Sequence, residues 1–576
     1  MYATFLVWFV CLWCVYAAPY VPNQSFFGVE DSAASVTAPS FISECPTSGA
    51  RPEFRVAIIG AGPSGTSAAY YLAKAQEKLE EARKYGLGTC KNTSFPERLY
   101  VTVYERSDRV GGRAWSVHPL DDPSIAPVES GASIFAKMNT QMRQATQAMD
   151  LKAVPRESMP RSDYGLWNGR DFVIDKFDGT KWDQLKMYWR YGNSPQTFLN
   201  LATKAASSFT QLYNPSFLHK RTRHSTESES GYPWSNVSDI IHRLGLQHTT
   251  SQSARDLLLH NKVSDTFVDE MVNALTRAIY AQSVSTIHAV AAMVAAGAPD
   301  AFSIRGGNEQ LFQRLLEKSG AYVRFGVQGE VTGLMKMSAS IDPAKPGHTE
   351  WWVGTKDGHG EVYNAVILAT PWHDAGITLL NTHHTVPSYK FQHLHVTIVV
   401  TSSSKLNVKY FAGAMPLTSM PHTILTTTAP DGTEPEFLSM SYLRQLNHAT
   451  YKGKTWNKLF VVKILSQKEL EDDTLARLFG PSSVLWTTQK TWSAYPELPP
   501  TDKFGRFEID DNLWNINALE RWISTMETSL LASKNVVALL LQKWLGAAFI
   551  LGQACKWEPN VVREATAWAG WGCQNT

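Results

Sequence analysis

Gly60-Ala61-Gly62-Pro63-Ser64-Gly65 follows an apolar run, Phe54 to Ile59, and opens a segment of helical character. That spacing suits a nucleotide diphosphate. Gly60 permits a tight turn out of a strand, Gly62 lets the backbone approach the phosphates because it has no Cβ, and Gly65 lets helix and strand pack closely. The helix start then offers N–H groups and a positive dipole end. Glu105 closes a second apolar run, Leu99 to Tyr104. An acid at that place accepts hydrogen bonds from the ribose hydroxyls of the adenosine half. It lies 45 residues after Gly60, more than the roughly 20 of a minimal unit. A long helix, Ser64 to about Tyr85, and a polar loop, Gly86 to Pro96, account for the excess.

Arg106-Ser107-Asp108-Arg109-Val110-Gly111-Gly112-Arg113 follows directly. A Gly-Gly-Arg just past the ribose acid resembles the second cofactor motif of the amine-oxidase-like flavoproteins. The resemblance implies FAD rather than NAD, with Gly111 and Gly112 admitting a second loop to the diphosphate and Arg113 adding charge-assisted contacts. Arg106 joins this set. Glu129-Ser130-Gly131-Ala132-Ser133 resembles the stretch that passes beside the flavin ring, so Gly131, Ala132 and Ser133 are expected there. Val327 stands where such proteins bracket the adenine, and Ala369-Thr370-Pro371 ends a strand leading to the flavin.

The elements needed to position these groups are legible. Strand, helix, strand in succession forms a parallel unit. The expected fold class is α/β: a Rossmann-type FAD-binding domain on a parallel sheet, with an inserted mixed helical and β-sheet substrate domain. Residues 54–135, 301–375 and 491–545 are assigned to the FAD-binding part, 136–300 to a mainly helical substrate lobe and 376–490 to a β-rich lobe. Residues 1–18 read as a signal peptide, 19–53 as a leader and 546–576 as a tail. Strands are expected at Tyr322 to Phe325, Trp351 to Val353 and Ala365 to Leu368, and a last helix from near Leu519 past Leu541. The apolar stretch in that helix is interrupted by Gln542 and Lys543, which favours a buried helix over a membrane span.

From about 54 to 545 the chain resembles the prenylcysteine oxidase, or prenylcysteine lyase, family. The residues that carry the resemblance are Tyr164-Gly165-Leu166-Trp167-Asn168-Gly169, Thr276-Arg277-Ala278-Ile279-Tyr280-Ala281-Gln282, Ile304-Arg305-Gly306-Gly307-Asn308, Ala494-Tyr495-Pro496, and Leu513 to Glu520 with Ser524-Thr525-Met526-Glu527. The resemblance implies that Glu520 contacts the flavin side chain and that a helix N-terminus just beyond it faces the ring. It also implies oxidation of an S-prenyl cysteine thioether. The carbon between sulfur and alkene loses a hydride, water adds, and the adduct collapses to cysteine and a prenyl aldehyde, with O2 as final acceptor and H2O2 as by-product. Arg277 and Tyr280 either line the substrate or flavin pocket or pack their helix. No general base is assigned; His288, His373, His393 and His395 are candidates for activating water, each more readily read as a structural histidine. Two departures stand out: Ala281 replaces the glycine of a Tyr-Gly-Gln pattern, and an apolar, Trp-rich ending follows Trp544.

The 576 residues carry a formal net charge of +2, so nothing points to nucleic acid. Thr4 to Val15 is apolar and ends in small residues, Ala17 and Ala18, as a signal peptidase requires, although no Lys or Arg precedes it. Sequons at Asn23, Asn92 and Asn236 fit a glycosylated chain in the secretory pathway, bound for a lysosome, a vacuole or the outside of the cell. After cleavage four cysteines remain, Cys45, Cys90, Cys555 and Cys573, with three ways of pairing. No metal is called for. The expected partners are a small lipophilic substrate and O2, with room left for a peripheral membrane contact. Two rival readings are a secreted flavin oxidase of another lipophilic amine, thioether or prenylated metabolite, and a lumenal binding protein that keeps the fold as a scaffold.

Overall fold

The computed structural model describes residues 53–84, 98–156, 159, 163–213, 232–297, 301–337, 349–411 and 420–545. The signal segment, the four remaining cysteines, Asn23, Asn92 and the tail lie outside the described residues.

A six-stranded sheet is the frame of the site. Its order is Tyr322–Phe325, Arg98–Glu105, Glu53–Ile59, Ala365–Leu368, Leu513–Asn515 and Glu508–Asp510. The first five strands run parallel and the last is an antiparallel edge. Both faces are covered, which is why the inner strands read as continuous apolar runs. Val56 and Ile58 pack into one cluster with Ala68, Leu72 and Leu540. Ala57, Ile59 and Tyr104 pack into another with Trp351 and Val353. Each such large side chain stabilises the fold by about 1.5–3 kcal/mol.

Register then brings the strand ends together. Ile59 pairs with both Tyr104 and Leu368, and Leu368 with Asn515. Gly60, Glu105, Ala369 and Ile516 therefore emerge at one carboxyl edge, where open α/β sheets bind ligands. The helix after Gly62 spans Pro63–Lys84, with proline at its first position, where its missing N–H costs nothing. A Cβ at Gly65 would overlap the Gly60 carbonyl oxygen, so close helix–strand packing requires glycine there.

A second, seven-stranded sheet lies over this edge. Its order is Val484–Pro496, Phe391–Thr401, Lys454–Ser466, Ser439–Tyr451, Thr423–Thr426, Tyr164–Trp167 and Phe172–Phe177. The last two strands fall in the 136–300 stretch read as mainly helical. Four residues, Tyr164–Trp167, are too few for periodicity to separate strand from helix. Gly165 is required in that strand because a Cβ would meet Pro421 Cγ at 2.6 Å. Among the described residues, the helices of the lobe lie between Lys181 and Tyr213 and between Val237 and Ala295.

The C-terminal helix begins at Met526, not near Leu519, and ends at Leu545. Residues Ile516–Arg521 form a 3-10 turn instead. Thr525 sets the start, since its Oγ1 accepts the Thr528 N–H at 3.1 Å as a helix cap. Val536, Val537, Leu540 and Leu541 are fully buried, and no described helix is long and apolar enough to cross a membrane.

The Ala281 departure has a conformational consequence. It follows the helix Asn273–Tyr280 in the left-handed region, with φ 54°, the position where helices favour glycine. Ala281→Gly is expected to raise unfolding stability by about 0.5–1 kcal/mol, read as a higher urea midpoint; an unchanged or lower midpoint would refute this account.

Candidate active site

Above the carboxyl edge lies a cavity of about 1320 Å³, larger than the roughly 300–1,000 Å³ of an ordinary ligand pocket. The two glycine loops form one end of it. The Gly111 N–H donates to the Ala61 carbonyl at 2.9 Å, and a Cβ at Gly112 would stand 3.1 Å from Gly62 Cα. Gly60, Gly62, Pro63, Ser64 and Gly112 all line the cavity, whereas Gly65 does its work behind it. Glu105 also lines it, and its carboxylate ties the loops together. Oε2 accepts the Ala61 N–H at 2.8 Å, and Oε1 accepts the Ser107 N–H at 2.9 Å and hydroxyl at 2.8 Å.

Arg106, Arg109 and Arg113 all line the cavity, and each has a protein partner. Arg113, expected to contact the diphosphate, pairs through Nη1 with Glu520 Oε1 at 2.5 Å and donates to the Ala494 carbonyl at 2.8 Å. It thereby joins the second loop to the C-terminal segment. Arg109, not singled out by the motif, holds the glycine turn by donating to the Gly112 carbonyl at 2.6 Å. Arg106 lies at the rim in an exposed pair with Asp374 at 2.7 Å. Val327 does not line the cavity; its side chain is exposed, in a turn whose Gly326 N–H donates to the Ser107 carbonyl at 3.0 Å.

Gly131, Ala132 and Ser133 line the middle of the cavity. A Cβ at Gly131 would overlap the Arg113 carbonyl oxygen, so this glycine serves close approach rather than an ordinary turn. Asn308 of the Gly-Gly-Asn motif is fully buried and anchors the same stretch. Its N–H donates to Glu129 Oε1 at 2.7 Å and its Nδ2 to the Ala132 carbonyl at 2.8 Å. Two more motifs meet through Gln282, which donates from Nε2 to the Pro496 carbonyl at 3.1 Å and accepts the Leu498 N–H at 2.8 Å.

Of the two substrate candidates, only Tyr280 lines the cavity. Its buried hydroxyl has no hydrogen-bond partner among the described residues, and its ring packs edge-on against Tyr495 at 5.3 Å. Arg277 points elsewhere and pairs with Glu434 at 2.6 Å. The other end of the cavity is apolar, lined by Ile174, Phe177, Met187, Phe198, Leu275 and Ile279.

His288 is structural. Its Nδ1 accepts the Ala291 N–H, its Nε2 donates to the Trp522 carbonyl, and burial pulls it down to about 4. His373 and His393 line the cavity, while His395 lies outside it, 3.2 Å from Thr491 Oγ1. His373 stacks on Phe391 at 4.0 Å and burial lowers its pKa. The Asn236 carboxamide caps the helix Val237–Arg243, Oδ1 accepting the Asp239 N–H at 2.8 Å.

Two ionisable groups at the cavity were not anticipated. Lys463 is half-buried, and its Nζ donates to Ser133 Oγ at 2.6 Å and to the Glu129 carbonyl at 2.7 Å. Burial pulls it down to about 8, against the neighbouring Glu129, whose carboxyl is held well above its ordinary range by burial and by Glu309. Glu527, at the start of the C-terminal helix, accepts the Gln141 and Met142 N–H groups and the Tyr213 hydroxyl, and burial pushes it up to about 7.

A glycine cradle at the end of a parallel sheet, opening into an apolar chamber under a second sheet, defines a Rossmann-type flavoprotein oxidoreductase. A model of the family described as prenylcysteine lyase matches residues 175–550, and one for an NAD(P)-binding Rossmann-like domain matches residues 58–149. The chain belongs to the prenylcysteine lyase family. It is 25% identical over 508 residues to Bos taurus "Prenylcysteine oxidase 1", covering 87% of this chain and 91% of that protein. It is 27% identical over 496 residues to Arabidopsis thaliana "Farnesylcysteine lyase", covering 85% and 88%. Among solved structures, cyclohexylamine oxidase from Brevibacterium oxydans IH-35A aligns at 13% identity with a TM-score of 0.49, covering 85% of this chain and 99% of that one. The protein is an oxidoreductase and its cofactor is FAD. The residues fit that group: the loops present a cradle that Cβ atoms would crowd, and the cavity has volume for a dinucleotide and a substrate together.

Proposed function

We propose that the enzyme oxidises an S-prenyl cysteine thioether, using O2 and water to release cysteine, a prenyl aldehyde and H2O2. The observation that supports this most is the single cavity with a diphosphate cradle at one end and an apolar chamber at the other. FAD, held by the glycine loops, Glu105 and the Glu520 segment, supplies the hydride acceptor. The chain supplies position, dryness and proton handling. Phe177, Met187 and Phe198 take up the isoprenoid, each Å² of apolar surface removed from water contributing roughly 25 cal/mol. Gly131 to Ser133 and Tyr280 place the thioether carbon between that chamber and the cradle. Lys463 Nζ, in its neutral form, accepts the proton lost by the water that adds to this carbon, and Ser133 holds the ammonium formed. Residues 1–18, read as a signal peptide, route the enzyme to a lysosome, a vacuole or the exterior.

The test is the visible spectrum of the purified protein before and after anaerobic addition of farnesylcysteine. The expected result is bleaching of the oxidised flavin band with release of cysteine and farnesal. A flavin left oxidised by farnesylcysteine but bleached by a lipophilic amine would overturn the substrate assignment. A colourless protein that takes up no FAD would overturn the reading altogether.

A further inference from the structure

The helix Lys181–Tyr191 has two faces of different character. Asp183, Gln184, Met187 and Tyr191 are buried, as the i, i+4, i+8 spacing of one helix face dictates. The outer face carries Trp182, Tyr188 and Trp189, exposed by 56%, 55% and 66%. Among the described residues these are three of the eight large apolar side chains that are exposed, all within three turns of one helix. Trp182 and Trp189 pack edge to face at 5.6 Å, and Lys186 Nζ stands 5.9 Å over the Trp182 ring.

Charge on this helix is sorted in the same way. Lys181 and Lys186 are exposed. Arg190 is also outward and is held by Glu270. The one carboxylate of the helix, Asp183, is turned inward, where it accepts the Asp178 N–H at 3.0 Å. Aromatic rings interleaved with exposed lysines, and no exposed carboxylate on the helix itself, match the interfacial zone of a bilayer with anionic headgroups.

The inner face supplies the second observation. Met187 lines the apolar end of the cavity, beside Phe198 and Leu199 of the next helix. One helix, about 10–12 Å across, therefore separates the exposed rings from the chamber assigned to the isoprenoid.

We infer that Trp182, Tyr188, Trp189 and Lys186 form a docking face for an anionic lipid bilayer, set against the apolar end of the cavity so that a prenyl chain passes from membrane to chamber over one helix. The inference rests on the proposed function for the identity of the cargo. The docking itself does not depend on it and is measured without substrate.

Holoenzyme is sedimented with vesicles of phosphatidylcholine containing about one-third phosphatidylserine, and the double variant Trp182→Ser/Trp189→Ser is compared. The expected result is partition at least about tenfold weaker for the variant, with unchanged melting temperature, flavin content and rate on farnesylcysteine in free solution. With geranylgeranylcysteine presented in the same vesicles, the variant is expected to be slower. Equal partition of both proteins overturns the inference. So does a change in oligomeric state without vesicle binding, which would assign the face to a second copy of this chain. Vesicle binding with no turnover of any prenylcysteine leaves the docking face standing and refutes the proposed function instead.

Discussion

Gly62→Val is expected to give a folded protein without its yellow colour. Gly62 does not need a left-handed backbone, since it is absent from the positive-φ glycines that include Gly60, Gly111 and Gly112. The one atom near a Cβ placed there is Gly112 Cα, at 3.7 Å, an ordinary contact. The chain therefore accommodates the side chain, but its methyl groups enter the gap through which both loops reach a diphosphate. Losing two backbone hydrogen bonds to a charged ligand costs about 3 kcal/mol or more, roughly a hundredfold or greater in affinity. Gly65→Val is the opposite case. Its Cβ would overlap the Gly60 carbonyl, so the first helix cannot seat on the sheet and the variant is expected to unfold or precipitate. Measuring the flavin absorbance per protein together with the melting curve distinguishes the two. A Gly62→Val protein that purifies with full flavin would show that the cradle has been misplaced.

That contrast also marks what the sequence made legible. The first strand, helix and second strand could be read because a parallel strand covered on both faces is a continuous apolar run, and Phe54 to Ile59 is one. The glycine loops could be read because each glycine answers a steric demand that other residues cannot meet. The part of the site built from distant segments was harder. Arg113 lines the cavity as its position suggests, but its ion pair with Glu520, over four hundred residues away, leaves no trace in the local sequence. Arg277 belongs to a motif with Tyr280 and lies only about sixty degrees from it around the helix, yet the pairing with Glu434 holds it outside the cavity. The last helix begins at Met526 rather than near Leu519 because Ile516–Arg521 closes into a separate 3-10 turn. Tyr164–Trp167 was assigned to a helical lobe because its strand partner, Thr423–Thr426, is far along the chain. Lys463 did leave a signal. It interrupts Leu459 to Ile464, a run otherwise of buried strand, and a lysine there must either find partners or shed its proton.

Lys463→Met is expected to lower kcat about a hundredfold or more while leaving FAD content nearly intact. The side chain keeps its length and apolar stem, so the strand and its packing persist, but Ser133 Oγ and the Glu129 carbonyl lose their donor. The pH profile carries the stronger test. Burial pulls Lys463 down to about 8, so the ammonium dominates below that pH and the free amine above it. If the amine accepts the proton from the adding water, wild-type kcat rises with pH and levels off above about 8, and the variant loses that limb. Lys463→Arg separates base from charge, because a guanidinium stays protonated throughout. If the cation alone mattered, the arginine variant would retain most of the rate. If the lone pair matters, it is as slow as the methionine variant and equally flat. His373, another cavity group whose pKa burial lowers, starts from a much lower value, so it cannot produce a limb near pH 8, and Arg109 keeps its guanidinium protonated there. A limb that survives in both variants would remove Lys463 from the chemistry and leave it the task of bracing Ser133 beside the cofactor.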